Sequence, residues 1–294
     1  MNLVTVACDR DFHQILLQAE SISLFLEPCT HYIIVNEEKV DLDFWYRWLS
    51  PYYKNHELKI IPRIVYDYAS VRAMLKHVNH ATFGWRSQQL QKLLISRIID
   101  DDYLVFDAKT FFVRHGSISA WDNSLGSGPS YAINDQFINT NYAYSIVLKK
   151  EILTIAPHSV TPFKIITEPL RRYLETANNH HNLYKFLFLP EIYPFKGSIS
   201  PSSEFLFYCY IANDYFKEQD KRTFPNNHII WDAINDSQFN KILSNQPLTL
   251  NIHRNFLNKC DVHMLENVNK YLSDLGFKNK LYPYPDSHDD FFLS

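Results

Sequence analysis

The segment Asp101 to Arg114, DDYLVFDAKTFFVR, carries an apolar run, Tyr103 to Phe106, that ends on the carboxylate of Asp107, with Lys109 two residues further on. A carboxylate at a strand end can hold a divalent cation or a ribose. An ammonium beside it cannot bind a cation, but it can offer positive charge to a phosphate. The plain alternative for Lys109 is a turn lysine at the surface. Upstream, Gln88 and Lys92 stand four residues apart in GWRSQQLQKLL and would share one helix face, whose bland reading is a solvated polar surface. Downstream, Glu204 opens the run SSEFLFYCY. A carboxylate in a first helical turn is favoured by the helix dipole without further purpose; within hydrogen-bond reach of a bound hydroxyl it can also act as a general base. His253 and Arg254 close a late apolar run and can bind a diphosphate or be an ordinary surface pair. The 13 histidines form no HExxH-like metal spacing.

The elements that must position these residues are legible as short runs. LVTVA (3–7), HYIIVN (31–36), LKIIP (58–62) and YLVFD (103–107) read as strands. Between the first two, Phe12, Ile15, Leu16, Ala19, Ile22 and Leu26 recur at helical spacing. Leu90, Leu93, Leu94 and Ile98 do so before the fourth. This alternation predicts an α/β fold with a mostly parallel sheet flanked by helices, whose ligands bind at the carboxyl ends of the strands, where Asp9 and Asp107 lie. The alternation stops near residue 115. WDNSLGSGPS (121–130) reads as a connecting loop, 164–178 and 202–219 as helices, HIIWDA (228–233) and LTLNIH (248–253) as returning strands, and 261–275 as a last helix. A single domain over 1–294 is expected, with a nucleotide-handling first part, 1–115, and a more variable second part, 116–294.

Composition narrows the function classes. A formal charge of −3 over 294 residues, with no long basic run, argues against a nucleic-acid or anionic-membrane binder. The four cysteines, at 8, 29, 209 and 260, form no CxxC pair, which suits a reducing compartment and gives no zinc or disulfide framework. No apolar run approaches the ~18 residues of a membrane span, and MNLVTVACDRDF meets charge too early for a secretory signal. A cytoplasmic protein is expected, in at most peripheral contact with the inner face of a membrane. Aromatic residues make up 15% against six glycines, so Trp85 and the tyrosine-rich loops can stack on a base or sugar, although most such rings serve the core. The pair His180 and His181 reads as a loop or helix start.

The pattern GWxxQQLxKL followed by an apolar strand ending in Asp resembles a bacterial family of glycosyltransferases with the GT-A fold, which is Rossmann-like. Thr161 and Pro162 before a helix, SEFxxY (Ser203, Glu204, Phe205, Tyr208) and IHR (Ile252 to Arg254) follow in similar order. The resemblance runs from the first strand to about residue 255. It implies transfer of a sugar from a nucleotide-sugar donor, a UDP-sugar being favoured, to the hydroxyl of a glycan or lipid-linked glycan acceptor, in bacterial surface polysaccharide such as lipopolysaccharide or capsule. It also implies that Asp107 stands where the family has an acidic DxD motif, which holds Mn²⁺ or Mg²⁺ against the departing diphosphate. This chain reads Asp107-Ala108-Lys109, so metal independence, with Lys109 in place of the second acid, is an equally open expectation. By the same resemblance Asp107 and Glu204 are the catalytic candidates. Asp9, Gln88, Lys92, Asp107, Lys109, His253 and Arg254 would bind the donor, Thr161 and Glu204 the acceptor, and Asp107 with His253 any metal.

Two other readings remain. The phosphatases of the haloacid-dehalogenase type place a nucleophilic Asp at a strand end, which would be Asp107 here, but they have it on the first strand and require a second Asp where Lys109 stands. A binding protein that kept the fold without the chemistry is the other.

Overall fold

The structure is a computed structural model. It describes residues 1–37, 39–64, 80–121, 142, 145, 146, 151, 161–175, 183, 204–212 and 227–283. The chain divides into two compact units. One comprises Met1–Pro62, Phe106–Asp122 and Phe224–Ser294, and the other Arg63–Val105 and Asn123–Thr223.

In the first unit β1 (Asn2–Ala7), β2 (Thr30–Val35) and β3 (Glu57–Pro62) are parallel, with Leu3 opposite His31 and Ile33 opposite Ile60. The last two residues of β4 (Tyr103–Asp107) also belong to this unit. The four apolar runs expected as strands thus fold as strands. Leu3 through Ala7 are buried without alternation, as a parallel strand covered on both faces requires. A second sheet has the order β5 (Thr110–Phe112), β8 (Thr249–Ile252), β7 (Asn227–Ile230). β5 runs antiparallel to β8, and β7 parallel to it.

Helix α1 (Phe12–Phe25) packs against β5. Its apolar stripe predicted one buried face, yet Gln14, Gln18, Glu20 and Ser21 are buried as well. Gln18, Glu20 and Ser21 have partners across the unit: the Glu20 carboxylate, for one, accepts from the amides of Lys278 (2.7 Å) and Asn279 (3.0 Å). Helix α2 (Leu42–Leu49), which the periodicity did not reveal, starts where Asp41 accepts from the Phe44 amide at 3.0 Å and buries Trp45 and Leu49.

In the second unit α3 (His80–Leu94) lies beside β4 in sequence, and Tyr103–Val105 of β4 pair antiparallel with β6 (Phe163–Ile165). The helix expected over 164–178 therefore begins later, as α4 (Thr167–Leu174): Lys164 and Ile165 pair with β4 instead. The Thr167 amide donates to Asp102 Oδ1 at 3.0 Å at the junction. α5 (Glu204–Ile211) packs on α3 and α4, and its Phe205 ring stacks on Phe163 at 4.2 Å. The other parts of the 202–219 and 121–130 expectations, 202–203, 213–219 and 122–130, lie outside the described residues.

The later helices of the first unit are α6 (Asp236–Ser244), opened by a reciprocal Asn235–Gln238 capping box, then α7 (Arg254–Lys259) and α8 (Val262–Asp274), close to the expected last helix. α8 stops at Gly276, whose φ of 98° is a conformation that side chains with a Cβ resist, while the Phe277 amide returns to Leu272 O at 3.1 Å. Among the described residues no helix is long and apolar enough to cross a membrane.

Candidate functional site

In the first unit β4 ends on Asp107, Trp231 follows β7 and His253 follows β8, and these strand ends supply one cluster. The Asp107 carboxylate lies 3.9 Å from Lys109 Nζ, both side chains partly open to solvent. Lys109 Nζ sits 6.0 Å from the centre of the Trp231 ring, within cation–π range. Trp231, 53% exposed, lies flat on the His253 imidazole with ring centres 3.7 Å apart and planes 12° from parallel. Beside the ring, Asp232 pairs with Lys259 at 2.9 Å, and Arg254 is exposed at the start of α7. The backbone fixes this arrangement. The Ile252 amide donates to Lys109 O (3.0 Å), the His253 amide to Ile230 O (2.9 Å), and Asn251 Nδ2 to Thr110 Oγ1 (2.8 Å).

His253 is the N-cap of α7: its Nδ1 accepts from the Asn255 amide at 3.2 Å. Burial pushes its pKa down to about 4; the positive charges of Lys109 and Arg254 add to this, and Asp107 and Asp232 only partly oppose it. At neutral pH the ring is thus uncharged, and with Nδ1 accepting, Nε2 carries the proton. Ligating a metal through Nε2 would require moving that proton to Nδ1 and breaking the cap. Asp107 meanwhile faces an ammonium rather than a second carboxylate. This donor set does not fit a divalent cation, and among the described residues no group of three or more His, Cys, Asp or Glu side chains is placed to hold one.

Asp9 follows β1 in a short 3₁₀ turn, Asp9–Asp11, and its amide donates to Glu37 Oε1 at 3.3 Å. The neighbouring Cys8 thiol donates to Asp11 Oδ2 at 3.1 Å, and burial together with that carboxylate pushes its pKa up, so it is no thiolate nucleophile.

The second unit holds a different constellation. Lys92 Nζ is 2.7 Å from Glu204 Oε1, with side-chain exposures of 7% and 1%. Turned so that its nitrogen faces the carboxylate, the Gln89 amide donates to both Glu204 oxygens. Gln91 Oε1 accepts from the Ile64 amide (2.7 Å) and its Nε2 donates to Ile64 O (3.1 Å). A solvated face on α3 is therefore not what forms. Gln89, Gln91 and Lys92 are buried, each engaged with a carboxylate or the backbone, and Gln88 alone of this group is half-exposed. Periodicity could not distinguish the two cases, because a polar residue that finds a buried partner and one that finds water look alike in a sequence. Thr161 is buried just before β6. The Trp85 side chain, Ser203, His180 and His181 lie outside the described residues.

Of the residues singled out from sequence, the structure brings Asp107, Lys109, His253 and Arg254 together in one unit, and Lys92 with Glu204 in the other. Sequence reading missed Trp231 and Asp232. HIIWDA was read as a strand, and a tryptophan followed by an acid just past the strand end was the signal that could have marked them.

No family model matches the chain, and no curated protein is significantly similar to it in sequence. Solved structures similar in backbone include mouse xyloside xylosyltransferase 1 in its apo form, at 9% identity and TM-score 0.47, covering 85% of this chain and 96% of that one. Galactosyltransferase LgtC in complex with donor and acceptor sugar analogues matches at 12% identity and TM-score 0.42, covering 86% of this chain and 87% of that one. An active-site mutant of LgtC matches at 13% identity and TM-score 0.46, covering 94% and 97%. Likeness at this level says nothing of substrate or residue roles, which rest on the geometry of the cluster itself.

Proposed function

We propose that the chain is a glycosyltransferase that moves a sugar from a nucleoside-diphosphate donor to a glycan hydroxyl. The observation that carries this reading is the Asp107–Lys109–Trp231–His253 cluster at the ends of β4, β7 and β8. It sets a cation next to a flat exposed ring on a neutral support, which suits a ligand that is a diphosphate at one end and a planar base or sugar face at the other. Lys109, with Arg254 nearby, neutralises the charge that grows on the diphosphate as the bond from the sugar's anomeric carbon to the phosphate oxygen breaks. Asp107 orients Lys109 or a ribose hydroxyl. The acceptor oxygen bonds to the anomeric carbon, its proton passes to a base, and the nucleoside diphosphate departs.

The family resemblance of the sequence supports the same class of reaction and adds details we propose on that ground alone: a UDP-sugar donor, a glycan or lipid-linked acceptor in bacterial surface polysaccharide, a position at the inner face of the membrane, donor contacts from Asp9, Gln88 and Lys92, and acceptor contacts from Thr161 and Glu204. The same ground makes Glu204 the candidate base. Its carboxylate is paired with Lys92 at 2.7 Å.

The test is a panel of nucleotide sugars, UDP-sugars first, incubated with the protein in EDTA and in Mn²⁺, with release of nucleoside diphosphate as the readout. Release that persists in EDTA is expected. Binding of nucleotides without turnover of any donor would indicate a binding protein, and hydrolysis of phosphate monoesters in the absence of nucleotide would indicate the phosphatase reading.

A further inference from the structure

Behind the Asp107 to Thr110 turn, within the first unit, lies a buried chain of side chains that the reaction proposed above does not use. Gln18 of α1 is 1% exposed, and its Nε2 reaches two backbone carbonyls, Asp107 O at 2.9 Å and Thr110 O at 2.7 Å. These are the first and last residues of the turn that carries Asp107 and Lys109. Gln18 Oε1 accepts from Thr5 Oγ1 at 2.8 Å. Thr5 Oγ1 lies 2.9 Å from His31 Nε2, and His31 Nδ1 lies 2.6 Å from the Tyr53 hydroxyl. Thr5 and His31 are almost completely buried, and Tyr53 nearly so.

The proton directions along this chain are forced. The Thr5 hydroxyl hydrogen is committed to Gln18, so Thr5 must accept from His31, and Nε2 carries the proton. Burial keeps the His31 ring neutral, with its pKa pushed down to about 3, so Nδ1 is an acceptor and the Tyr53 hydroxyl donates to it. Every donor points the same way, Tyr53 to His31 to Thr5 to Gln18, and both amide hydrogens of Gln18 end on the turn. The amide cannot flip without setting its nitrogen against the Thr5 donor and its oxygen against two carbonyls.

We propose that Gln18 is a positioning residue for the donor site, and that Thr5, His31 and Tyr53 act through it by fixing which way its amide faces. The inference rests on the reading of the Asp107–Lys109 cluster as the donor site. Anchoring the carbonyls of Asp107 and Thr110 fixes the two ends of the turn, as the Ile252 amide fixes Lys109 O between them, so the side chains of Asp107 and Lys109 leave from a backbone clamped on both sides. Such clamping matters for a ligand that must meet an ammonium and a ring at once, because the donor then finds the geometry already set.

The experiment compares the intact wild-type protein with Thr5→Val, Thr5→Ser and Gln18→Leu. Uridine diphosphate binding is measured by calorimetry and cooperative folding by thermal melts, with titrations run well below every midpoint. Thr5→Val keeps the β-branched shape and removes only the hydroxyl link; Thr5→Ser restores the link. The expected result is uridine diphosphate binding weakened about tenfold or more in Thr5→Val and Gln18→Leu, the scale of a lost polar constraint, with Thr5→Ser within about twofold of wild type. A dissociation constant that is the same in wild type, Thr5→Val and Gln18→Leu overturns the positioning role and leaves the donor-site reading standing. Should Gln18→Leu fail to fold, Thr5→Val against Thr5→Ser decides alone. Wild-type protein that binds no uridine diphosphate removes the donor-site reading, and the inference with it.

Discussion

Lys92 Nζ and Glu204 Oε1 are 2.7 Å apart, and neither side chain is more than 7% exposed. A charge pair held away from water is a stability relationship before it is a catalytic one, since removing either partner strands the other in a medium that solvates it poorly. Glu204→Gln is expected to lower unfolding free energy by about 3–5 kcal/mol, read from denaturant midpoints. The Lys92→Met, Glu204→Leu double variant should recover most of that loss, since it leaves no uncompensated charge. A Glu204→Gln protein of unchanged stability whose turnover drops by about 10² to 10⁴ would instead identify Glu204 as the general base, free to exchange Lys92 for an acceptor hydroxyl.

Trp231 offers its open face while its other face rests on His253. Replacing a ring on which a base stacks costs about 1–3 kcal/mol of binding, so Trp231→Ala should weaken uridine diphosphate affinity by that amount and Trp231→Phe by less. Because the ring is half in solvent, melting should move little. Affinity indifferent to Trp231→Ala would take the ring out of the site.

Burial lowers the pKa of His13, His56 and His228 as well as of His31 and His253, and the last two carry the largest shifts. Burial lowers His253 to about 4 and His31 to about 3, both from an ordinary value of 6.5. Between those values and 6.5 the unfolded chain binds protons that the folded chain refuses, so stability rises with pH across the window. It is fully present above pH 6.5, falls as pH drops toward 4 through His253, and continues to fall toward 3 through His31. Denaturant midpoints measured from pH 7 to 4 should show that decline. His253→Asn, which keeps an N-cap acceptor, should remove the His253 share and make the decline shallower. NMR of the imidazole nitrogens should find His253 neutral at pH 6.

The strands were legible because β1, β2 and β4 are short apolar runs buried on both faces, a pattern with few alternatives at that length. α2 was missed because Leu42 to Leu49 spans barely two turns, too short for a period to emerge, and its start depends on one Asp41 cap. Lys164 and Ile165 of β6 fall within the helix expected from residue 164, and only their pairing with β4 decides against it. In the cluster, Asp107 and Lys109 were visible because a carboxylate and an ammonium flank a strand end. Trp231 was not, since its role depends on lying against His253, twenty-two residues away in sequence. Gln18 carried no signal at all: a glutamine in a helix reads as a surface residue until its partners at Thr5, Asp107 and Thr110 are known.

On the reading proposed above, Lys109 supplies the positive charge that a metal would otherwise bring. Calorimetric titration of uridine diphosphate into wild-type protein and Lys109→Ala, each in EDTA and in Mn²⁺, tests it most directly. The account predicts wild-type binding that persists in EDTA, and a loss of about 1.5–3 kcal/mol in Lys109→Ala whether or not Mn²⁺ is present, the contribution of a hydrogen bond to a charged group. Binding that appears only with Mn²⁺ and is unchanged in Lys109→Ala would contradict it, and would make Asp107 a metal ligand with Lys109 a bystander at the turn.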